Sequence, residues 1–213
     1  MQKRHTPAGG SLGAGSGPNI NGSMRNAGSI VPPGYVRTIR ELIFYEYARI
    51  ISMSSLKGSV DYAFVSNRFK ALQTGTLTIP TLNREWKQEQ NIPMECIFCG
   101  AKDVLLVDHL IQLNRGGTDN SDNTFLSCPS CLTSRNRRNL FQWLGPMGKD
   151  RLHRLVLGSY LKQLFDLHSR KGSLELHKNA LGLLCPLCLN ASACRELNTF
   201  EELTCLCLES AFF

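Results

Sequence analysis

Acidic residues are missing from the first 34 positions, and large apolar side chains are scarce there. Glycine, serine, proline and asparagine fill the segment instead, so it cannot bury enough surface to order itself. Residues 1–34 therefore read as a disordered basic Gly/Ser-rich tail. Its lack of acid resembles a transit peptide, but its glycines argue against an amphipathic helix. No apolar run in the chain approaches the length of a membrane span, so no membrane partner is expected. No secretory hydrophobic segment opens the sequence, which points to a cytoplasmic chain with reduced cysteines. Internal repeats are also lacking, apart from two cysteine-rich stretches of different spacing.

What is present is positive charge, helical periodicity and cysteine. The formal net charge is +7, with a pI near 9.0. Residues 35–92 read as a helical support region. Ile39, Leu42, Ile43, Ala48 and Ile50 recur at helical spacing within Tyr35–Met53. A second helix is expected over Val60–Leu72, with Ala63, Phe64, Phe69 and Leu72 inside. A third, short one is expected over Leu82–Gln90, between Pro80 and Pro93. No catalytic constellation occurs here, and the aromatics suit a core better than a base-stacking platform. A further helical segment, 149–180, places Leu152, Leu155, Val156, Leu161, Leu164 and Phe165 on an apolar side. His153 and His168 stand among polar neighbours there and read as surface residues.

Between these helical parts, residues 93–148 carry a denser pattern. It reads C-I-F-C-G from Cys96, V-D-H-L from Val107, R-G-G-T-D-N-S-D-N from Arg115, and C-P-S-C from Cys128. Two C-x-x-C pairs, Cys96/Cys99 and Cys128/Cys131, have the spacing of a tetrahedral structural zinc site. Val104–Leu113 has strand-forming residues around Asp108 and His109. Adjacent strand residues point to opposite faces, so a local bend is needed if both are to serve one site. Asn114–Asn120 is rich in turn residues, a short strand is expected at Thr124–Ser127, and a helix is expected from Cys128 towards Leu144.

These residues resemble the HNH endonuclease family, whose ββα-metal motif cuts phosphodiester bonds. The resemblance implies an α+β fold: a mainly helical chain around a treble-clef-like ββα zinc motif. It implies DNA as partner, structural Zn²⁺, and a divalent catalytic metal, Mg²⁺ or Mn²⁺. His109 would be the general base and Asp108 a ligand of the catalytic metal. Asn123 would brace the loop and orient the histidine. An imidazole suits the role because it titrates near neutral pH.

One position departs from the family pattern. The residue after the last cysteine is a His or Asn in the family and supplies a second ligand to the catalytic metal; here it is Leu132. An alkyl group cannot bind a hard cation. Asn136, four residues on, could reach the metal from the same helical face. Thr133 or Ser134 could offer a hydroxyl, or Asp108 could act with water and the substrate phosphate. The rival reading is a catalytically degenerate zinc protein that still binds nucleic acid.

Arg135, Arg137 and Arg138 lie on the expected motif helix and suit phosphate contact. Lys149, Arg151, Arg154, Lys162, Arg170 and Lys171 follow; they suit phosphate contact or a solvated helix face equally. Such contacts position a protein on a backbone and select no base sequence. Residues 181–213 form a Cys-rich metal-binding tail, with Cys185, Cys188, Cys194, Cys205 and Cys207. Four of the five suit a second zinc site; an iron–sulfur cluster and a metal-free tail are the alternatives. This knuckle could also take a protein partner.

Overall fold

The computed structural model describes residues 32–56, 59–89, 94–136, 138, 140–144 and 152–177. The cysteines of the C-terminal tail, residues 1–31 of the N-terminal tail, Arg137, Lys149 and Arg151 lie outside the described residues.

The chain is α+β. Helices α1 (Ile39–Ser55), α2 (Tyr62–Gln73) and α3 (Ile79–Glu89) come first. Strands β1 (Leu106–His109) and β2 (Thr124–Ser127) then form an antiparallel pair, with a 3-10 turn at Leu113–Arg115 between them. Helices α4 (Pro129–Arg135), α5 (Leu140–Leu144) and α6 (Arg154–Lys171) complete the order. Among the described residues no helix is long and apolar enough to cross a membrane.

Helix α1 is the centre. The expected face of Ile39, Leu42, Ile43, Ala48 and Ile50 is buried, and so are Phe44, Tyr45 and Tyr47. A helix apolar on most sides must be covered on most sides, and α2, α3 and α6 all pack on α1. Its start is fixed by a capping box: Thr38 Oγ1 accepts from Glu41 N–H, and Glu41 Oε2 accepts from Thr38 N–H. Two further first-turn donors, Ile39 N–H and Arg40 N–H, are met by the carbonyls of Leu176 and Leu174. The segment after α6 thus returns to close the front of α1.

Helix α2 buries Val65, Phe69 and Leu72. Ala63, expected inside, is exposed and Phe64 only half-buried, because the buried stripe runs through Val65, Phe69 and Leu72. On α6, Leu155, Val156, Leu161 and Leu164 are buried as expected. His153 is exposed and caps α6, accepting from Leu155 N–H through Nδ1. His168 departs from its surface assignment: it is fully buried, with Nδ1 2.9 Å from Ser173 Oγ. Desolvation pushes its imidazole down to about 4.

The ββα segment shares this core. Ile97, Leu110, Ile111, Phe125 and Leu140 join the same buried cluster as α1, α2 and α6. The expected continuous helix from Cys128 to Leu144 is instead two. Asn136 adopts φ 52° and ψ −131°, which ends α4 after Arg135. Helix α5 folds back, with Trp143 Nε1 donating to Ser134 Oγ and its ring edge-on to Phe98.

Candidate nuclease and zinc centre

Four sulfurs converge at one end of the ββα unit. The Sγ atoms of Cys96, Cys99, Cys128 and Cys131 all lie within 4.8 Å of one another. Cys99 and Cys128 are 3.6 Å apart. That is far beyond a disulfide of about 2.05 Å. It is close to the edge of about 3.8 Å expected for a tetrahedron with Zn–S near 2.3 Å. The first knuckle turns tightly because Gly100, at φ 75°, lets its N–H return to the Cys96 carbonyl at 2.7 Å. Burial opposes ionisation of Cys96, but backbone hydrogen bonds from Cys128, Phe98 and Cys99 outweigh it and bring the thiol down to about 6. Burial and the neighbouring sulfurs push Cys131 up. Crowded thiolates repel one another, and a divalent cation bound by all four would relieve that repulsion. The donor set, its distances and its turns fit zinc.

At the other end of β1, Asp108 and His109 are both half-buried, facing neighbours Phe125 and Thr124 on β2. Both stand in regular strand register, without a bend between them, and Arg135 contacts this end of the strand. The Arg135 side chain is only 2 % exposed, and it reaches across from α4. Nη1 donates to Asp108 Oδ2 at 3.1 Å and to the His109 carbonyl at 2.7 Å, while Nη2 donates to the Leu110 carbonyl. Asp108 Oδ1 accepts from the His109 N–H at 2.8 Å. One guanidinium therefore grips three consecutive residues. Arg135 is for this reason not a surface phosphate contact, contrary to its sequence assignment. Arg138 is exposed, but its guanidinium folds onto the carbonyls of Ser134 and Arg135 at the end of α4.

The imidazole of His109 has Nε2 3.1 Å from Asp119 Oδ1. Its Nδ1 has no hydrogen-bond partner among the described residues. Asn123 is fully buried and makes three bonds. Its Oδ1 accepts from Ile111 N–H at 2.9 Å, and its Nδ2 donates to the carbonyls of Ile111 and Thr118 at 2.7 and 2.8 Å. The Asn123 carbonyl also takes the Leu110 N–H at 2.8 Å. These bonds staple the loop between the strands directly beyond His109. Gly117 is required there, since a Cβ would fall 2.0 Å from the Ile111 carbonyl oxygen.

Residues 96–138 match the family model for HNH endonucleases. The matched part is about a fifth of the chain and contains the sulfur quartet, both strands and α4. No curated protein and no solved structure matches the chain.

The matched segment offers a second cation fewer protein ligands than the cysteine quartet would offer zinc. Among the described residues, the cysteine quartet is the one group of three or more His, Cys, Asp or Glu whose ligand atoms converge. Leu132 is half-buried on α4 and supplies no donor atom. Asn136 has left the helix, so the helical-face argument for it no longer applies. Asp108 fits a hard cation as a single carboxylate ligand with lone pairs to spare beside its two hydrogen bonds. Any further ligands would be water and phosphate oxygen.

Sequence reasoning missed Asp119 and the inward course of Arg135. An acid in the loop beyond a strand-borne histidine was the available signal for Asp119. It also missed a set of contacts from the flanking helices. Lys162 sits 2.7 Å from Asp122 Oδ2 and 3.4 Å from Asp166 Oδ2. Burial works against its charge, but the Asp122 hydrogen bond and both carboxylates outweigh it and hold the ammonium above the usual lysine range. Partners 40 residues apart leave no local pattern to read.

Proposed function

We propose that this chain is an HNH-type endonuclease that hydrolyses phosphodiester bonds of DNA, with His109 as general base. The observation that carries the reading is the state of His109. Its Nε2 is engaged by Asp119, its Nδ1 has no hydrogen-bond partner among the described residues, and Asn123 locks the adjoining loop. With Nε2–H directed at the carboxylate, Nδ1 is the nitrogen with a lone pair, and it would take the proton from an attacking water. Asp119 would stabilise the imidazolium that results. Asp108 would hold a divalent cation, Mg²⁺ or Mn²⁺; when bound, such an ion supplies Lewis-acid stabilisation of charge on the phosphate. The zinc quartet would fix the start of α4 against β2. The net charge of +7 favours a polyanionic substrate, with salt-dependent affinity.

A second reading has its own support. Leu132 removes a ligand, and the Arg135 guanidinium places a positive charge on Asp108. Both weaken cation binding, which favours a nucleic-acid-binding protein that has lost catalysis.

Nicking of supercoiled plasmid with added Mg²⁺, Mn²⁺ or Ni²⁺ separates the two. Wild type should nick only with metal, and His109→Ala should reduce nicking by roughly 100-fold or more, the usual contribution of a general base. Leu132→Asn should lower the metal concentration needed. Equal nicking by wild type and His109→Ala would reject His109 as the base. No nicking by either, with salt-sensitive retention of DNA, would establish the binding protein instead.

A further inference from the structure

The loop that presents Asp119 to His109 is held from outside the HNH segment. Three polar side chains of α6 reach it. Arg170 Nη2 donates to the Gly116 carbonyl at 2.9 Å. The buried Gln163 accepts from Thr118 Oγ1 through Oε1 at 3.1 Å. Lys162 pairs with Asp122 at 2.7 Å. At the other carboxylate oxygen, Asn83 of α3 donates to Asp122 Oδ1 at 3.1 Å, and its own Oδ1 accepts from the Tyr47 hydroxyl of α1 at 3.0 Å. Leu167 closes on the loop at Gly116, where a Cβ would meet its Cδ2 at 2.9 Å.

These contacts are placed to matter. They engage the loop at 116, 118 and 122, on both sides of Asp119 and directly before Asn123. Asp122 is pinned through both carboxylate oxygens, one by a cation and one by an amide, so its position is fixed in two directions. Lys162 and Asp122 are largely shielded from water, with side chains 13 % and 26 % exposed, so the pair is less screened than a surface ion pair. Asp119 itself is 78 % exposed and has no packing of its own to hold it. Its approach to His109 depends on where the loop runs.

We propose that Lys162, with Asn83 across from it, is a positioning residue for the His109 site: the α3–α6 clamp on Asp122 sets the loop that delivers Asp119 to the imidazole. The clamp itself stands on geometry alone; its kinetic consequence rests on the nuclease reading. The helices on either side of the HNH segment are then part of the site's machinery and not only its support.

The test uses the full chain with zinc bound, comparing wild type, Lys162→Met, Lys162→Arg and Asn83→Ala. Hydrogen exchange is followed over residues 116–122, alongside plasmid nicking. Lys162→Met should speed exchange in the loop by about tenfold or more while α1, β1 and β2 keep their protection and zinc content stays unchanged. Nicking kcat should fall by a similar factor with KM for plasmid within twofold, since no nucleic-acid contact is removed. Lys162→Arg should restore most of both, because a guanidinium can still reach the carboxylate, and Asn83→Ala should reproduce the loop effect. Unchanged loop exchange in Lys162→Met would overturn the proposal. So would an equal rise across the whole protein, which marks general destabilisation, or a rise in KM with kcat intact. A wild type that does not nick would remove the nuclease reading, and the loop exchange would still decide whether the clamp exists.

Discussion

At the scale of single residues, burial reverses what side-chain type suggests. His168 is an ordinary polar residue by sequence and a core residue by structure. Its value of about 4 lies below the 6.5 of a free imidazole because burial disfavours the charged form. Above pH 6.5 the ring is neutral in both folded and unfolded chains and the full stability is present. Below it only the unfolded chain takes up the proton, so stability falls through the window down to about 4 and then levels. At about 1.4 kcal/mol per pKa unit the loss amounts to at most about 3.5 kcal/mol. Urea unfolding at pH 7, 6, 5 and 4 should show this slope in wild type and a shallower one in His168→Gln. The comparison subtracts the acid sensitivity of the cysteine quartet, which both proteins share. Parallel slopes would mean that His168 is not held neutral. Arg135 is the companion case. Arginine on an exposed helix meets phosphate or water; here the same side chain is enclosed and its donors face Asp108 and two carbonyls.

At the scale of elements, the break between α4 and α5 is the most informative junction. Asn136 holds φ 52° with ψ −131°. That combination approaches a region open essentially to glycine, and it costs other residues about 1–3 kcal/mol. The strain turns the chain so that Trp143 can lie against Phe98 and donate to Ser134. Asn136→Gly should therefore stabilise the protein by about 1 kcal/mol, after the extra freedom gained by the unfolded chain is subtracted. The check is an upward shift of the urea midpoint at constant m-value. A lower midpoint would show that the Asn136 side chain contributes more than its backbone strain removes. Periodicity alone could not place this break, since Leu140 and Leu144 continue an acceptable helical pattern from Leu132.

At the scale of the whole molecule, one apolar cluster runs through the flanking helices and the HNH segment. The two parts differ in what sustains them. Helices α1, α2 and α6 bury a dozen or more large apolar side chains between them. Strands β1 and β2 have four residues each, and a two-stranded hairpin of that size is marginal in water. A metal held by the four cysteines would supply much of its order. Chelation of zinc, or Cys99→Ser, should lower the melting temperature and first release amide protection in β1, β2 and α4. Protection in α1 and α6 should persist at the same temperature. Simultaneous loss everywhere would show that the helices have no stability apart from the metal-bound segment.

Features that depend on short spacing were legible in the amino-acid order. Two C-x-x-C pairs converge because each fits one turn. Thr124–Ser127 alternates as a strand and is one. Asn123 follows a Gly-Gly turn and lies buried beneath that loop. The stripe of Ile39, Leu42, Ile43, Ala48 and Ile50 is the buried face of α1. Which cations face inward, and what holds the loop, depend on how the elements pack. Arg135 of α4 turns inward to Asp108 of β1, and Lys162 of α6, which packs beside α3, meets Asp122. Those partners are 27 and 40 residues apart, and their pairing is set by the common core that brings their elements together, not by any pattern either residue belongs to.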